Sequence, residues 1–332
     1  MADDYKFDIK AIHQTEIISI VLGVLCSLPP LSVVIILTLR YNLLVGERRL
    51  VHYIYCIAIS DTIVSLCIAV GFPRSTSITC ATQGFLSLFF SRASIFFTDV
   101  LIFQLFYLIL FKRYFLKIKH DHIIVWTLNS ILQFVPLTTG TIYGQDDDDA
   151  GSAVGITVAR CALAVGSGTL DEEVKWAAYT YQLELVGSFV FILIFTVAIL
   201  VYRYRMSISE KSWSTLLFYP VGLLITYVPS SVYSYYFNSY HYAHNTFPYH
   251  GFVIANDLLA LNAIYGVILS IIFYSTTKLA LYEWKTVIKK ILFGSSDPDD
   301  DNRMSVSSVI SIASTVELSE NPVTRRLEDT VV

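Results

Sequence analysis

Ile17 to Leu39 reads IISIVLGVLCSLPPLSVVIILTL, a run without a single charged side chain. A hydrocarbon core of about 30 Å is crossed by about 20 helical residues, because a helix satisfies its own backbone polar groups where no water can. This run therefore reads as a spanning helix, kinked at Pro29 and Pro30. Six further windows meet the same length: Leu50 to Phe72, Cys80 to Phe111, His122 to Tyr143, Trp176 to Tyr202, Trp213 to Phe237 and Gly251 to Tyr274. The expected fold is an all-α membrane protein, a seven-transmembrane helix bundle whose termini face opposite sides.

Composition agrees. With 55% hydrophobic and only 15% charged residues over 332 positions, the chain lies outside the range of an ordinary soluble globule. Its net charge of −4 suggests no nucleic-acid role, and it hides a strong asymmetry between the loops. Lys and Arg gather on the cytoplasmic side of a membrane protein. The first loop carries Arg40, Arg48 and Arg49, and the third Lys112, Arg113, Lys117 and Lys119. The fifth adds Arg203, Arg205 and Lys211, and the segment after the last window Lys278, Lys285, Lys289 and Lys290. These fourteen face only five on the other side, Lys6, Lys10, Arg74, Arg160 and Lys175. The N-terminus is thus expected outside and the C-terminus in the cytoplasm, in a multi-pass protein of the plasma membrane.

The division that follows is an extracellular N-terminus at 1–16, the bundle at 17–277, an amphipathic interfacial helix at 278–293 and a disordered cytoplasmic tail at 294–332. No small-residue cleavage pattern follows a short apolar core, so a removable signal peptide is not expected. Within 278–293, Leu281, Trp284, Ile288 and Ile291 recur at helical spacing opposite Lys285 and Lys289. The tail is rich in Ser, Asp and Glu. Its Ser305, Ser307 and Ser308 are candidate phosphorylation sites for a kinase, with an arrestin-like partner reading the phosphates.

Cys26, Cys56 and Cys67 fall inside predicted helices, where cysteine behaves as a small hydrophobe. Cys80 and Cys161 both fall on the outer side, where oxidation is permitted, and are expected to form a disulfide.

Cys80, Gln83, Gly84, Phe85, Phe89, Phe90, Ala93, Ser94, Thr98 and Tyr107 resemble the third helix of the cyclic-AMP-receptor-like family of seven-helix G-protein-coupled receptors, the class E type that includes fungal receptor-like members. Tyr219, Pro220, Tyr227 and Pro229 extend the resemblance into the sixth helix, and together the motifs touch about a third of the chain. Phe97 stands where the family often has Trp, and Arg92 interrupts a neutral stretch. The resemblance implies a receptor that passes an extracellular small-molecule signal, nutrient or nucleotide-like, to a heterotrimeric G protein. It implies no enzyme activity and no cofactor. Likeness to the rhodopsin-like receptors is fainter. Asp61 and Trp126 resemble their second-helix Asp and fourth-helix Trp, but Lys112-Arg113-Tyr114 lacks the acid of Asp-Arg-Tyr. Asn262-Ala263-Ile264-Tyr265 likewise lacks the Pro of Asn-Pro-x-x-Tyr.

Ionisable side chains inside a membrane are costly and mark function or a packing pair. Asp61, about 16 Å into its helix at 1.5 Å per residue, is a candidate switch with Asn262 and Pro229. Its possible occupants are Na⁺ or a proton; a carboxyl bonded to Asn262 or to Ser residues is the structural alternative. Arg92 and Asp99 share a face of the third helix but lie about 10 Å apart along it, so each needs other partners. Glu184 and Asp257 are the carboxylates placed to meet Arg92. The candidate ligand site is therefore Arg92, Asp99, Glu184, Tyr227, Tyr233 and Asp257, with an internal ion pair that fixes helix packing as the alternative.

The aromatic residues from Tyr227 to Phe252 suit an interfacial belt or a stacking vestibule. Asp146 to Asp149 and Asp171 to Glu173 make the fourth loop acidic, which disfavours a dianionic phosphate such as cyclic AMP itself. His241, His244 and His250 lack a patterned fourth ligand, and no metal is assigned to them.

On the inner side, Lys112, Arg113, Arg203 and Arg205 are the residues expected to face the G protein; membrane lipids are the other partner such charges imply. A retinal protein is excluded, because no Lys lies between Gly251 and Thr277 for a Schiff base. A membrane hydrolase is disfavoured, since His52 and His122 fall only at the edges of spans. A small transporter of a polar solute is the alternative, although the chain has no internal repeat of three helices.

Overall fold

In the computed structural model, the residues described are 9–39, 49–71, 78–111, 113–138, 172–206, 217–229, 232 and 249–293. Their helices are α1 (Ile9–Leu39), α2 (Arg49–Ala69), α3 (Ile78–Phe111), α4 (Ile118–Thr138) and α5 (Glu172–Met206). They continue as α6 (Phe218–Pro229), α7 (Tyr249–Thr276) and α8 (Lys278–Phe293). No strand occurs among the described residues.

Four described stretches are long and apolar enough to cross a membrane, namely Ile17–Leu39, Leu50–Ala69, Thr82–Phe111 and Glu184–Tyr202. Ala263–Thr276 and Ala280–Lys289 pass the same test only as a pair, bent by 109° where α7 meets α8. Two of the seven expected spans fall short for evident reasons. The described part of α4 carries Lys119, His120, Asp121, Asn129 and Gln133 among its apolar residues, and only the stretch from Phe218 to Pro229 of the sixth window is described. Helices also outrun the apolar windows: α1 begins at Ile9 rather than Ile17, and α5 at Glu172 rather than Trp176. Hydropathy marks the length of greasy surface, whereas a helix continues as long as its backbone bonds do.

α1 is continuous across Pro29 and Pro30. There the Ser32 hydroxyl donates to the Pro29 carbonyl at 2.6 Å and meets the Tyr274 hydroxyl of α7 at 2.9 Å. Small residues set the closest approaches. A Cβ added to Gly23 would collide with the backbone nitrogen of Ala69, so α1 and α2 touch backbone to backbone. At Gly266 of α7 the same atom would meet Pro30 at 3.0 Å and the Asp61 Cβ at 3.1 Å, which fastens α7 against α1 and α2 beside Asp61.

α3 runs through the middle. Ala93, Ile95, Phe97, Leu101, Ile102 and Leu105 are buried in one continuous apolar cluster with Ile36 and Leu37 of α1, Tyr53 and Ile57 of α2, Leu223 of α6 and Phe273 of α7. Outside, the polarity is reversed from that of a water-soluble protein. Ile123, Ile124, Leu128 and Ile131 on α4 and Val186, Val190, Leu193, Ile194 and Val197 on α5 are exposed, while Asp61, Arg92, Thr98, Gln104, Asp121, Asn129 and Gln133 are buried. Continuous apolar faces of this extent belong against lipid. The chain is a membrane-embedded helical protein.

Gly71, with φ of 76°, ends α2 in the left-handed conformation that only glycine adopts without strain. A helix terminus leaves carbonyls without partners. Here the Gln83 amide of α3 reaches across and donates to the carbonyls of Cys67 at 2.6 Å and Gly71 at 2.9 Å.

Candidate functional site

The polar side chains of α3 form a ladder through the apolar core. Arg92 is 3% exposed and pairs with Glu184 of α5, Nε to Oε2, at 3.3 Å. Its Nη1 also donates to the side-chain Oε1 of Gln133 on α4 at 2.9 Å. One guanidinium thus ties α3 to two neighbours. The planar, permanently charged fork suits this, because it reaches two partners in fixed directions. Gln133 in turn donates to the Phe85 carbonyl at 3.4 Å, and Asn129, one turn earlier on α4, donates to the Phe89 carbonyl at 2.9 Å.

Asp99 lies two turns further along α3, near Glu184 and hydrogen-bonded by the Ser188 hydroxyl of α5. Among the described residues, Asp99 Oδ1 and Glu184 Oε2 accept no hydrogen bond. The guanidinium thus pairs with Glu184, while Asp99 is held by Ser188 beside that acid.

Between these groups and α2, Ser94 donates to Asp61 Oδ1 at 2.7 Å. The Thr98 hydroxyl meets the Tyr265 hydroxyl of α7 at 3.2 Å. Tyr265 packs edge-on to Tyr227 of α6, and the Tyr227 hydroxyl accepts from Ser91 at 3.4 Å. Hydrogen bonds and this ring contact together link α2, α3, α6 and α7.

The sequence-predicted residues divide accordingly. Arg92, Glu184 and Asp99 are brought together, and Tyr227 is buried one residue of α3 away from Arg92, through Ser91. Asp61 finds Ser94, one of the two kinds of partner expected for it. Asp257, Asn262 and Cys80 lie on described helices, α7 for the first two and α3 for the last, but their side chains are outside the described set, as is that of Arg203 on α5. Tyr233, Cys161, Lys112, the loop histidines His241 and His244, and the tail serines Ser305, Ser307 and Ser308 lie outside the described residues altogether. Arg113 and Arg205 are exposed, and Pro229 is the last described residue of α6.

A second polar group, which the sequence did not announce, joins α2, α3 and α4 at the other end of α3. Tyr53 and Gln104 both donate to Asp121 Oδ2, the latter at 2.9 Å. Gln104 Oε1 accepts from the backbone nitrogen of Phe115 at 3.0 Å, so the short connection between α3 and α4 is held to the helix that precedes it. Beside this group, His52 Nε2 lies 2.6 Å from His122 Nε2. Phe97 packs edge-on to His122 and to Trp126, and Trp126 stacks on Phe89. Phe97 is therefore an aromatic ring that bridges α3 and α4. The signal that could have revealed this group is Asp121, a carboxylate in the first turn of α4.

The chain matches no family model and no curated protein.

Proposed function

We propose that this chain is a seven-span G-protein-coupled receptor, similar to the cyclic-AMP-receptor-like family, that carries an extracellular small-molecule signal to a heterotrimeric G protein at the plasma membrane. The observation that carries the reading is the buried Arg92–Glu184 pair with Asp99 beside it. Charges buried at this depth cost several kcal/mol each unless matched, so a pair with unfilled acceptors is poised for exchange of partners. A polar ligand entering from the outside competes for Arg92 or for the two acids. That competition frees α5 from α3 and shifts a pre-existing equilibrium between two helix arrangements.

In this reading the N-terminus is outside, α8 lies along the inner membrane surface, and Lys112, Arg113, Arg203 and Arg205 face the G protein. Asp257 and Tyr233 join the ligand site, and a Cys80–Cys161 disulfide holds the outer loop over it. The path from Ser91 through Tyr227, Tyr265 and Thr98 is the connection from that site to α6 and α7.

The test is nucleotide exchange on a co-expressed Gα during a screen of small polar compounds, with Arg92→Ala and Asp257→Ala as controls. An active compound whose effect is lost in both variants supports the reading. Solute uptake into vesicles without any nucleotide exchange overturns it in favour of a transporter. An epitope placed after Val332 and reached by antibody on intact cells overturns the orientation.

A further inference from the structure

We propose that His52, Cys56 and His122 form a Zn²⁺ site between α2 and α4. His52 and Cys56 are four residues apart on α2, which puts their side chains on one face a turn apart. His122 meets them from the first turns of α4. The three ligand atoms lie within 4.8 Å of one another, with the two Nε2 atoms at 2.6 Å and Cys56 Sγ at 4.0 Å from His122 Nε2.

Two imidazoles and one thiolate are the donors that a borderline-soft d¹⁰ cation prefers, and hard cations such as Mg²⁺ and Ca²⁺ are poorly served by them. Tetrahedral Zn²⁺ with arms of about 2.0–2.1 Å holds two nitrogens about 3.3 Å apart, so the rings must separate by about 0.7 Å. A sulfur arm of about 2.3 Å asks for about 3.6 Å to each nitrogen, so Cys56 Sγ, 4.0 Å from His122 Nε2 and within 4.8 Å of His52 Nε2, must close in as the rings part. Asp121 adjoins the cluster, but its Oδ2 receives Tyr53 and Gln104, which hold that carboxylate in its own network; the fourth position is assigned to water. Binding releases one proton, from the Cys56 thiol. The Nε2 proton shared by the two rings moves to Nδ1 of its own ring, so that both Nε2 lone pairs face the metal. An occupied site would cross-link α2 to α4 beside the Gln104 anchor.

The experiment titrates the purified full chain in nanodiscs with Zn²⁺, and with Co²⁺ as a spectroscopic probe. The expected result is one equivalent bound, with a visible ligand-field band and a near-ultraviolet thiolate-to-cobalt band. His122→Ala should weaken binding by more than about 100-fold, since even outer partners of metal ligands are worth 10–100-fold. Cys56→Ser should remove the thiolate band. A triple His241→Ala, His244→Ala, His250→Ala variant should bind as the parent does. X-ray absorption on the unmutated, zinc-loaded protein reads the site without any variant, and one sulfur at about 2.3 Å is expected. No saturable binding, no sulfur neighbour, or binding lost in the triple loop variant would each overturn the proposal, leaving a histidine pair that only packs.

Discussion

Two stretches of α3, centred on Arg92 and on Gln104 and separated by about 18 Å at 1.5 Å per residue, solve the same problem in opposite ways. Around Arg92, one base pairs with Glu184, Asp99 lies beside that acid, and each acid keeps an oxygen that accepts no hydrogen bond among the described residues. Around Gln104, one acid receives two donors, and the amide that supplies one of them also fixes the backbone of Phe115. The first cluster is charged and undersupplied; the second is matched group for group. A polar group inside an apolar bundle rigidifies when its partners are complete and stays responsive when they are not. Under the proposed function, exchange of partners belongs to the first end and maintenance of register to the second.

The largest effect should come from the Arg92 end. Arg92→Ala leaves Glu184 without its cation and beside a second acid, Asp99, and should lower stability by about 3–5 kcal/mol, read from thermal unfolding in detergent. The double change Arg92→Met with Glu184→Met should recover most of that loss. Equal unfolding temperatures for the single and double variants would show that the pair is not coupled. Next comes Tyr53→Phe, which keeps the ring and removes one donor to Asp121, at about 1.5–3 kcal/mol. A loss greater than that of Arg92→Ala would invert the comparison between the two ends.

Gly23→Ala tests a contact that belongs to neither end. Its methyl has no room against Ala69, and the shift it forces should cost about 1–3 kcal/mol, read in the same unfolding assay. The smallest change in stability, within about 0.5 kcal/mol, is expected for Arg113→Ala and Arg205→Ala, both exposed. Under the proposed function these two should nonetheless reduce nucleotide exchange on Gα. Full exchange activity in the pair would remove them from the G-protein face.

The helices were legible because the bilayer criterion is a length criterion, and α2, α3 and α7 begin and end within a few residues of the windows drawn from hydropathy, while α8 follows the amphipathic spacing of 278–293. The aqueous ends of α1 and α5 were not, because nothing in a polar turn distinguishes a helix that continues from a loop that begins. The Arg92–Glu184 pair was legible for a related reason: a charge in an apolar run needs a partner, and few were on offer at its depth. Gln133, Asn129 and Gln104 carry no charge, so their cost is modest and their positions gave no warning. Which neighbour each one meets depends on the rotation of a helix about its axis, and spacing along one helix does not contain that angle. The His52–His122 contact was missed similarly, since each residue alone reads as a side chain at the edge of a span.

The backbone contact at Gly23 has a consequence for the lipid itself. Where a single methyl cannot enter, no acyl chain or sterol can wedge in from the side, so the α1–α2 seam is sealed at that level of the bilayer. Any hydrophobic molecule that reaches the interior by lateral diffusion must choose another gap between the helices.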